Sequence, residues 1–545
     1  MKNIVICADG TGNTTIKGRG TNVFKLYEAV DQVGHRLRPA LRPQVALYHD
    51  GVGTESVKWI RALTGATGWG LSRNVKQLYG ELSRVYAPGD KVFLFGFSRG
   101  AFTVRTLAGF INACGILDLS KYPTNRAFNK GVEDAYREYR QGYNSWLTGL
   151  FYKTRTLDEQ RLAELRARFS VPIPEWQDDL HGNLIEFMGV WDTVDAVGLP
   201  VRAAEVVNTV IYAFKFHDRT LNASVGHACH ALALDEERHS FAPVLWDETK
   251  SAHPERIEQV WFAGVHSNVG GGYPRQGMSL VALEWMMAKA EAYGLRFIDA
   301  EREFYRYHAD VDDKMYDSRA GLGVFYRWRP RDVEALCAKN GVTPKVHRSV
   351  FERIARNTEG YAPGSVPNDP EVISLSQSAE VRNAVRTLVR DHHDDKPGLV
   401  QQSADVQKWG RRAYLLFAYA VVIAAGLTVA GYVREAAHGA GTWGQVLRML
   451  AENLISSKWI GRAWEVLSTH PWLFAWLVVG LSVALWADTT LDRRYSQFWH
   501  RDHMRLRLRN TLGLGAEPVA SLTPGGAVAH DPVDVRVPES AGQRQ

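Results

Sequence analysis

The sequence predicts an α/β fold with a doubly wound, mainly parallel sheet and helical insertions, followed by a C-terminal transmembrane helical hairpin. Three observations support this prediction. Short apolar runs alternate with helical patterns through the first 295 residues, three of these runs end directly in a serine, an aspartate or a histidine, and two long uncharged stretches lie near the C-terminus. Alternating strands and helices are typical of a parallel sheet covered by helices on both faces.

Five short apolar runs predict the strands of the sheet. They cover residues 4–8, 45–49, 92–97, 185–191 and 259–265. Helical spacing of apolar residues predicts helices over 23–33, 71–86, 101–114, 222–234 and 278–293. We therefore expect one α/β domain over residues 1–295, with a helical insertion at about 118–182 that interrupts the alternation.

The remainder of the chain divides by composition. Residues 296–400 have a mixed pattern and are predicted to be an accessory segment packed on the first domain. Residues 413–433 carry no charge and are long enough, at about 31 Å as a helix, to cross the hydrocarbon core. A second span is predicted over 471–490, and the amphipathic connection 434–470 is expected to lie along the membrane interface. The end, 491–545, is predicted to be a basic juxtamembrane segment and a disordered tail.

Basic residues decide the orientation of the predicted hairpin. Lysines and arginines precede the first span, and six arginines follow the second within residues 493–509, whereas the connection holds few. By the positive-inside rule, both termini and the N-terminal domain are expected to face the cytoplasm. The same local cluster accounts for the net charge of +6, so a nucleic-acid partner is not expected. The four cysteines have no paired spacing, which predicts buried free thiols and neither a disulfide nor a zinc site.

The stretch "KVFLFGFSRGAFTVR" (91–105) places Ser98 between a predicted strand and a predicted helix. A G-x-S-x-G pentapeptide at such a turn is the pattern of a nucleophile elbow, which exposes its serine on a strained turn. Gly96 and Gly100 suit this interpretation, because a side chain at either position would collide with the neighbouring strand or helix. The alternative is that Ser98 is an ordinary N-cap of the helix that follows.

A nucleophilic serine needs a base, and the base needs an acid that orients it. Asp192 ends the run "LIEFMGVWD" and His266 ends "IEQVWFAGVH", so all three side chains are predicted at one edge of the sheet. The chain order Ser, Asp, His is the order in α/β-hydrolases. Asp195 is the alternative acid, farther from its strand end. His227 and His230 are predicted to share one helix face and to have structural roles.

An oxyanion hole needs two backbone N–H groups aimed at the developing negative charge. The N–H of Arg99 follows the nucleophile, and Gly10 or Thr11 in "ADGTGNT" (8–14) is the candidate for the second donor. A tight Asx-type turn is the simpler interpretation of this stretch, and both can hold. A metal-dependent phosphatase would need an acid where Cys7 stands, so no metal is predicted.

Seven ordered motifs carry a family resemblance: "DGTGNT", "TNVFKLY", "YHDGVGT", "GFSRGAFTVR", "GVWDTVDAVG", "HALALDEERHSF" and "GVHSNVGGGY". Over about residues 1–295 the chain resembles the α/β-hydrolase family called domain of unknown function 2235, which includes the first class of type VI secretion phospholipase effectors. The resemblance implies that the family's serine, aspartate and histidine fall on Ser98, Asp192 and His266. One departure is Asn268, where many relatives have aspartate.

We therefore expect a membrane-anchored serine esterase whose substrate is a phospholipid or another long-chain carboxylic ester. The expected location is the bacterial inner membrane, with two spans and the catalytic domain in the cytoplasm. This chemistry implies no metal or organic cofactor, and the sequence defines no protein partner. Two alternatives stay open: an antibacterial lipase toxin of the type VI kind, and a non-catalytic module that binds a partner at the membrane with a hydrolase fold.

Overall fold

The computed structural model describes residues 1–10, 20–50, 68–141, 157–173, 184–194, 220–251, 253–320, 328–395, 397–439 and 458–515. Its described strands form one eight-stranded parallel sheet in the order β2-β1-β3-β4-β5-β6-β7-β8. The strands are β1 (Asn3–Ala8), β2 (Gln44–His49), β3 (Lys91–Phe97), β4 (Ile185–Trp191), β5 (Val225–Ala233), β6 (Ile257–Phe262), β7 (Lys345–His347) and β8 (Glu371–Ile373). The predicted α/β fold class is confirmed.

The described helices alternate with these strands and then continue alone to the C-terminal part. They are α1 (Asn22–Ala29), α2 (Gly34–Leu37), α3 (Gly68–Val85), α4 (Arg99–Cys114), α5 (Asn125–Gln141), α6 (Glu159–Phe169), α7 (His266–Gly270), α8 (Gly277–Ala292), α9 (Asp299–His308), α10 (Val333–Lys339), α11 (Arg348–Arg356), α12 (Ala379–Asp394), α13 (Pro397–Gly439), α14 (Lys458–Thr469), α15 (Pro471–His500) and α16 (Met504–Thr511).

Successive residues of the central strands enter two different cores. Ile4 and Leu94 point to the face covered by α3, α4, α5 and α6, whereas Val5 and Phe95 point to the face covered by α1 and α8. Because side chains alternate along a strand, a strand buried on both faces needs a continuous apolar sequence, which β1 and β3 have. The strand order reverses between β1 and β3, and ligands of open α/β sheets bind outside the carboxyl ends of strands at such a point.

The prediction of a helix over 222–234 is wrong, because the structure has strand β5 there, between β4 and β6. His227 and His230 are three residues apart, and in a strand this spacing puts them on opposite faces. His227 stacks on Tyr293, whereas His230 contacts Trp246 and accepts a hydrogen bond from the Thr193 N–H. The alanines of this run favour a helix locally, but burial on both faces of a parallel sheet overrides that preference.

The segment after residue 295 continues the sheet. Strand β7 pairs with β6 and β8 pairs with β7, and helices α10, α11, α12 and α16 enclose a third core with them. Trp261 of β6 belongs to this core, so the segment packs directly on the earlier strands. The domain boundaries of the sequence analysis stay a prediction, although the sheet itself runs without interruption from β2 to β8.

Among the described residues, two helices are long and apolar enough to cross a membrane, within Asp405–Gly431 of α13 and from Pro471 along α15. The helices pack closely. A Cβ atom at Gly480 would lie 2.9 Å from the backbone nitrogen of Phe417 and 3.0 Å from the carbonyl oxygen of Ala413. Only 22% of the most apolar stretch of the first helix and 17% of that of the second are buried. The exposed apolar surface is consistent with membrane association as a hairpin. Residues 440–457 of the predicted interfacial connection and 516–545 of the predicted tail lie outside the described residues.

Candidate active site

The turn between β3 and α4 holds Ser98 in a conformation that serine rarely adopts. Its φ is 58° and its ψ is −121°, and its side chain makes no capping hydrogen bond to α4. The Ser98 N–H donates to the carbonyl oxygen of Trp191 at the end of β4 (3.0 Å). A non-glycine residue with positive φ is costly and persists where the surrounding structure imposes it. The N-cap alternative therefore does not describe this turn.

Both glycines of the elbow are required by close approach of the backbone. A Cβ atom at Gly96 would lie 2.6 Å from the carbonyl oxygen of Gly100 and 2.7 Å from the nitrogen of Ala101. A Cβ atom at Gly100 would lie 2.1 Å from the carbonyl oxygen of Ala8. These contacts are far inside van der Waals distance, so no larger residue fits without separating α4 from β1.

The structure brings the three predicted side chains together at the carboxyl ends of β3, β4 and β6. His266 Nε2 lies 2.8 Å from Ser98 Oγ, and His266 Nδ1 lies 2.5 Å from Asp192 Oδ2. All three residues are buried, with Asp192 fully enclosed. The chain of contacts from hydroxyl to imidazole to carboxylate has the geometry that a nucleophile, a base and an orienting acid require.

Asp192 accepts hydrogen bonds from Arg331 and Ala233 in addition to its contact with His266. Arg331 donates from Nη1 to Oδ1 (2.7 Å) and from Nη2 to Oδ2 (2.9 Å), and the Ala233 N–H donates to Oδ1 (3.1 Å). Burial by itself would raise the pKa of the Asp192 carboxyl, but the charge of Arg331 and the hydrogen bond from His266 hold that pKa well below its ordinary value. The carboxylate is therefore ionised at any physiological pH.

The imidazole of His266 lies between two aromatic rings, which restrict its rotation. The Phe97 ring centroid is 4.6 Å away in a tilted arrangement and the Phe241 ring is 4.9 Å away edge-on. The backbone N–H of His266 donates to the buried carboxylate of Glu236 (3.2 Å). Asn268, the departure from the family pattern, accepts from the Tyr316 N–H and donates to the Lys314 carbonyl oxygen. The histidine loop is thus held at several points.

The predicted oxyanion donors, Arg99, Gly10 and Thr11, stay predictions. Arg99 is the first residue of α4, directly after Ser98. Gly10 follows β1, but its N–H donates to Asp9 Oδ1 (2.6 Å), so this donor has another acceptor in the structure. Asp9 is buried and also accepts from the hydroxyls of Thr21 and Tyr48 (2.7 Å each). Thr11, and the alternative acid Asp195, lie outside the described residues.

Sequence reasoning missed Arg331 and Glu236. Arg331 lies 139 residues after Asp192, and no pattern in the sequence around it indicates that it binds Asp192. Glu236 did carry a signal, because "HALALDEE" is an apolar run followed by acids, the same pattern that ends β4. The assignment of the preceding residues, 222–234, to a helix concealed that pattern.

Two other predicted features concern ligands. The four cysteines are free and buried, as predicted. Within the described ranges, no three side chains of histidine, cysteine, aspartate or glutamate are grouped so that they could hold a metal ion. The chemistry that Ser98, His266 and Asp192 can support is nucleophilic attack by an activated hydroxyl.

Comparison with known proteins gives a family and two similar proteins. A family model described as "T6SS, Phospholipase effector Tle1-like, catalytic domain" matches residues 2–289. An uncharacterized protein of Saccharomyces cerevisiae (strain ATCC 204508 / S288c), YEL023C, is 26% identical over 259 residues, which are 44% of this chain and 32% of that protein. The chain thus spans about a third of the length of this curated relative. A crystal structure of an uncharacterized protein from Pseudomonas aeruginosa is similar with a TM-score of 0.33 and 18% identity, over 75% of this chain and 59% of that one.

Proposed function

The chain belongs to the Tle1-like family of type VI secretion system phospholipase effectors through its catalytic domain, and from this membership we propose that it is a membrane-anchored serine phospholipase. The family supports hydrolysis of lipids. The observation that carries the serine mechanism is the 2.8 Å contact between Ser98 Oγ and His266 Nε2, made by a serine held at positive φ. A serine in this position has its hydroxyl directed at a base and not at its own helix.

In the proposed reaction, Ser98 Oγ attacks the ester carbonyl carbon of the lipid while His266 Nε2 takes the hydroxyl proton. The tetrahedral intermediate collapses when His266 returns that proton to the leaving alkoxide, so the alcohol part departs and an acyl-serine remains. A water molecule then attacks the acyl carbon while His266 takes its proton, and the second intermediate collapses by breaking the bond from the acyl carbon to Ser98 Oγ. His266 returns the proton to Ser98 Oγ, and the fatty acid leaves. Asp192 stays ionised throughout and stabilises the imidazolium that forms in each half-reaction.

The negative oxygen of the intermediate needs donors that are already in place. We assign the first to the Arg99 N–H. The second is assigned to Gly10 or Thr11 after β1, since β1 pairs with β3 and the carbonyl oxygens of Ala8 and Asp9 lie close to Gly100 of the elbow. In this assignment the Gly10 N–H must leave Asp9 Oδ1 or be shared with it.

The pair of apolar helices supports a lipid as the substrate of the proposed enzyme. Helices α13 and α15 are apolar enough to span a bilayer, and they are covalently continuous with the segment that completes the sheet. A hydrolase fixed at a lipid surface meets phospholipid at a high local concentration. The excess of arginine and lysine outside the two spans favours a cytoplasmic face of the inner membrane for the catalytic domain.

The test uses full-length protein in detergent and the variants Ser98→Ala and Ser83→Ala. Ser83 is a matched control, because it is also a buried serine but donates to the carbonyl oxygen of Tyr79 on its own helix. We expect wild type and Ser83→Ala to release fatty acid from vesicles of mixed bacterial phospholipids and Ser98→Ala to release none. Equal release by Ser98→Ala and wild type would contradict the proposed mechanism.

The family description favours a second candidate, a toxin delivered to a competing bacterium. Expression of the chain in the cytoplasm or, with an added export signal, in the periplasm of a test bacterium separates the two proposals. Killing that depends on Ser98 and occurs only after export supports a delivered effector. Lipid hydrolysis that requires the cytoplasmic form supports a resident enzyme.

A further inference from the structure

Arg331 approaches the candidate triad from the side opposite Ser98. Its side chain is 3% exposed, and its two terminal nitrogens bind the two carboxylate oxygens of Asp192. It also donates to the carbonyl oxygens of Ala233 at the end of β5 and of Phe241 (2.6 Å for the latter). Phe241 is the residue whose ring contacts His266 edge-on. One guanidinium therefore connects the acid, a strand end and the wall of the imidazole site.

Arg331 lies outside the region that the family model matches, which ends at residue 289. It closes a short segment, residues 328–331, that we call the strap. The strap is held to the sheet by the Arg329 N–H, which donates to the Glu237 carbonyl oxygen (2.7 Å), and by a β-bridge between Trp328 and Arg238. The next residue, Asp332, caps α10 by accepting from the Ala335 N–H (3.0 Å).

The other end of the strap lies in the base of the apolar helix pair. Trp328 is 5% exposed and packs among side chains of both helices, which are Val406, Tyr414, Ala487 and Leu491. The fit is tight, because a Cβ atom at Gly410 would lie 2.5 Å from the Trp328 ring. Four residues thus run from the helix pair to the carboxylate of Asp192.

We propose that Arg331 is a positioning residue for the Ser98, His266 and Asp192 site, and that the strap makes its position depend on the base of the apolar helix pair. This inference rests on the proposed function. A bidentate guanidinium fixes both the plane and the negative charge of a carboxylate, which a single hydrogen-bond donor cannot do. The carboxylate in turn fixes the tautomer and the orientation of His266.

Other charged groups lie around Asp192 and His266, and the pH dependence of the proposed reaction depends on all of them. Glu236 faces the His266 backbone and is neutralised by Arg238, whose Nε and Nη2 bind it at 2.7 and 2.8 Å. Burial lowers the pKa of His230 to about 3, so it is neutral beside Asp192. Asp235, whose carboxyl interacts electrostatically with Arg331, accepts from the Gly264 N–H and the Tyr361 hydroxyl. Arg331 is thus the cation bound directly to Asp192 among the described residues.

Removing the positive charge of Arg331 should change the pH dependence of the reaction, which a general loss of structure would not do. Without Arg331, the buried Asp192 and His266 pair is more negative and binds a proton more tightly. The free base then forms only at higher pH, so the acid limb of the profile of kcat/KM against pH moves upward. Arg331 is an opposite charge to the Asp192 carboxylate and a like charge to an imidazolium at His266, so its loss acts in the same direction on both. Since Arg331 does not touch the substrate, kcat should fall by about tenfold or more while KM changes little.

The experiment measures pH profiles of phospholipid hydrolysis for full-length wild type, Arg331→Met, Arg331→Lys and Arg353→Met. Arg353 is a matched control, because it is fully buried but binds the Val311 and Asp313 carbonyl oxygens away from the triad. We expect the acid limb to move upward in Arg331→Met only, and to return towards the wild-type position in Arg331→Lys with kcat partly restored. An unmoved acid limb in Arg331→Met overturns the inference.

A second measurement does not depend on activity. Arg331→Met leaves Asp192 as an unpaired buried charge, and Asp192→Asn in the same chain removes that charge. The double variant should therefore melt at a higher temperature than Arg331→Met, and an equal or lower melting temperature contradicts direct pairing. If wild type itself releases no fatty acid, the proposed function fails. If wild type is active and neither measurement responds as stated, only the role of Arg331 fails.

Discussion

Replacing Gly100 with alanine tests whether the close contact between α4 and β1 sets the position of Ser98. The added Cβ atom would lie 2.1 Å from the Ala8 carbonyl oxygen and 2.5 Å from the Asp9 carbonyl oxygen. Ordinary contacts between such atoms are longer than about 3 Å, so the helix start and the strand end must separate by about 1 Å. Both carbonyl oxygens belong to the backbone and cannot rotate away as a side chain can.

That displacement has two measurable effects. Overpacking of this kind costs about 1–3 kcal/mol of stability. A shift of about 1 Å at a reacting atom costs about 100-fold in rate, because the hydroxyl no longer meets both His266 and the ester carbonyl. We expect Gly100→Ala to react with a fluorophosphonate about 100-fold more slowly than wild type, while tryptophan fluorescence still reports a folded protein.

Gly109 provides the control within the same helix. A Cβ atom there would lie 2.8 Å from the hydroxyl oxygen of Tyr139, a side-chain contact about three helical turns away from Ser98. Gly109→Ala should therefore react with the probe at nearly the wild-type rate. A Gly100→Ala protein that reacts as fast as Gly109→Ala would refute the argument that backbone contact positions the nucleophile.

Three further predictions concern the parts of the chain around the site. Gly410→Ala should lower kcat, because its Cβ atom would displace Trp328. Gly480→Ala would crowd the backbone of α13 and not Trp328, so its rate of hydrolysis of soluble esters should equal that of wild type. Equal rates for the two variants would contradict the proposed role of the strap. Burial raises the pKa of Asp235 to about 6, so the folded protein keeps a proton that the unfolded chain loses near pH 4, and stability falls as the pH rises from about 4 to 6. Asp235→Asn lacks this loss and should gain about 2 kcal/mol relative to wild type between pH 4 and pH 7 in thermal melts; a constant difference across that range would contradict the assignment. The chain should stay with membranes after washing in high salt and alkali, because two apolar helices hold it by burial in lipid and not by charge, and its release into the supernatant would exclude a spanning hairpin.

The central site was predictable because parallel strands end at one edge of a sheet. Ser98, Asp192 and His266 each follow an apolar run directly, and chain order and strand ends sufficed to group them. The two elbow glycines were predictable for the same local reason, since a strand-to-helix turn leaves no room for side chains. Local sequence contains all of this information.

What could not be predicted depends on contacts between distant segments. β5 has a helix-like composition, and only its burial between β4 and β6 makes it a strand. Arg331 reaches Asp192 because Trp328 and Arg329 pair with Arg238 and Glu237 just after β5, a pairing with no local pattern. The hydrogen bond from the Gly10 N–H to Asp9 likewise depends on a buried network with Thr21 and Tyr48.

The most direct test of the account is to identify the atom that a fluorophosphonate modifies. Full-length protein in detergent is treated with the probe, digested and analysed by mass spectrometry, with Ser98→Ala and Ser83→Ala in parallel. The account predicts one adduct, on the peptide that contains Ser98, present in wild type and Ser83→Ala and absent from Ser98→Ala. An adduct on another serine, or a folded wild type that carries none, would contradict the proposal that Ser98 is the nucleophile.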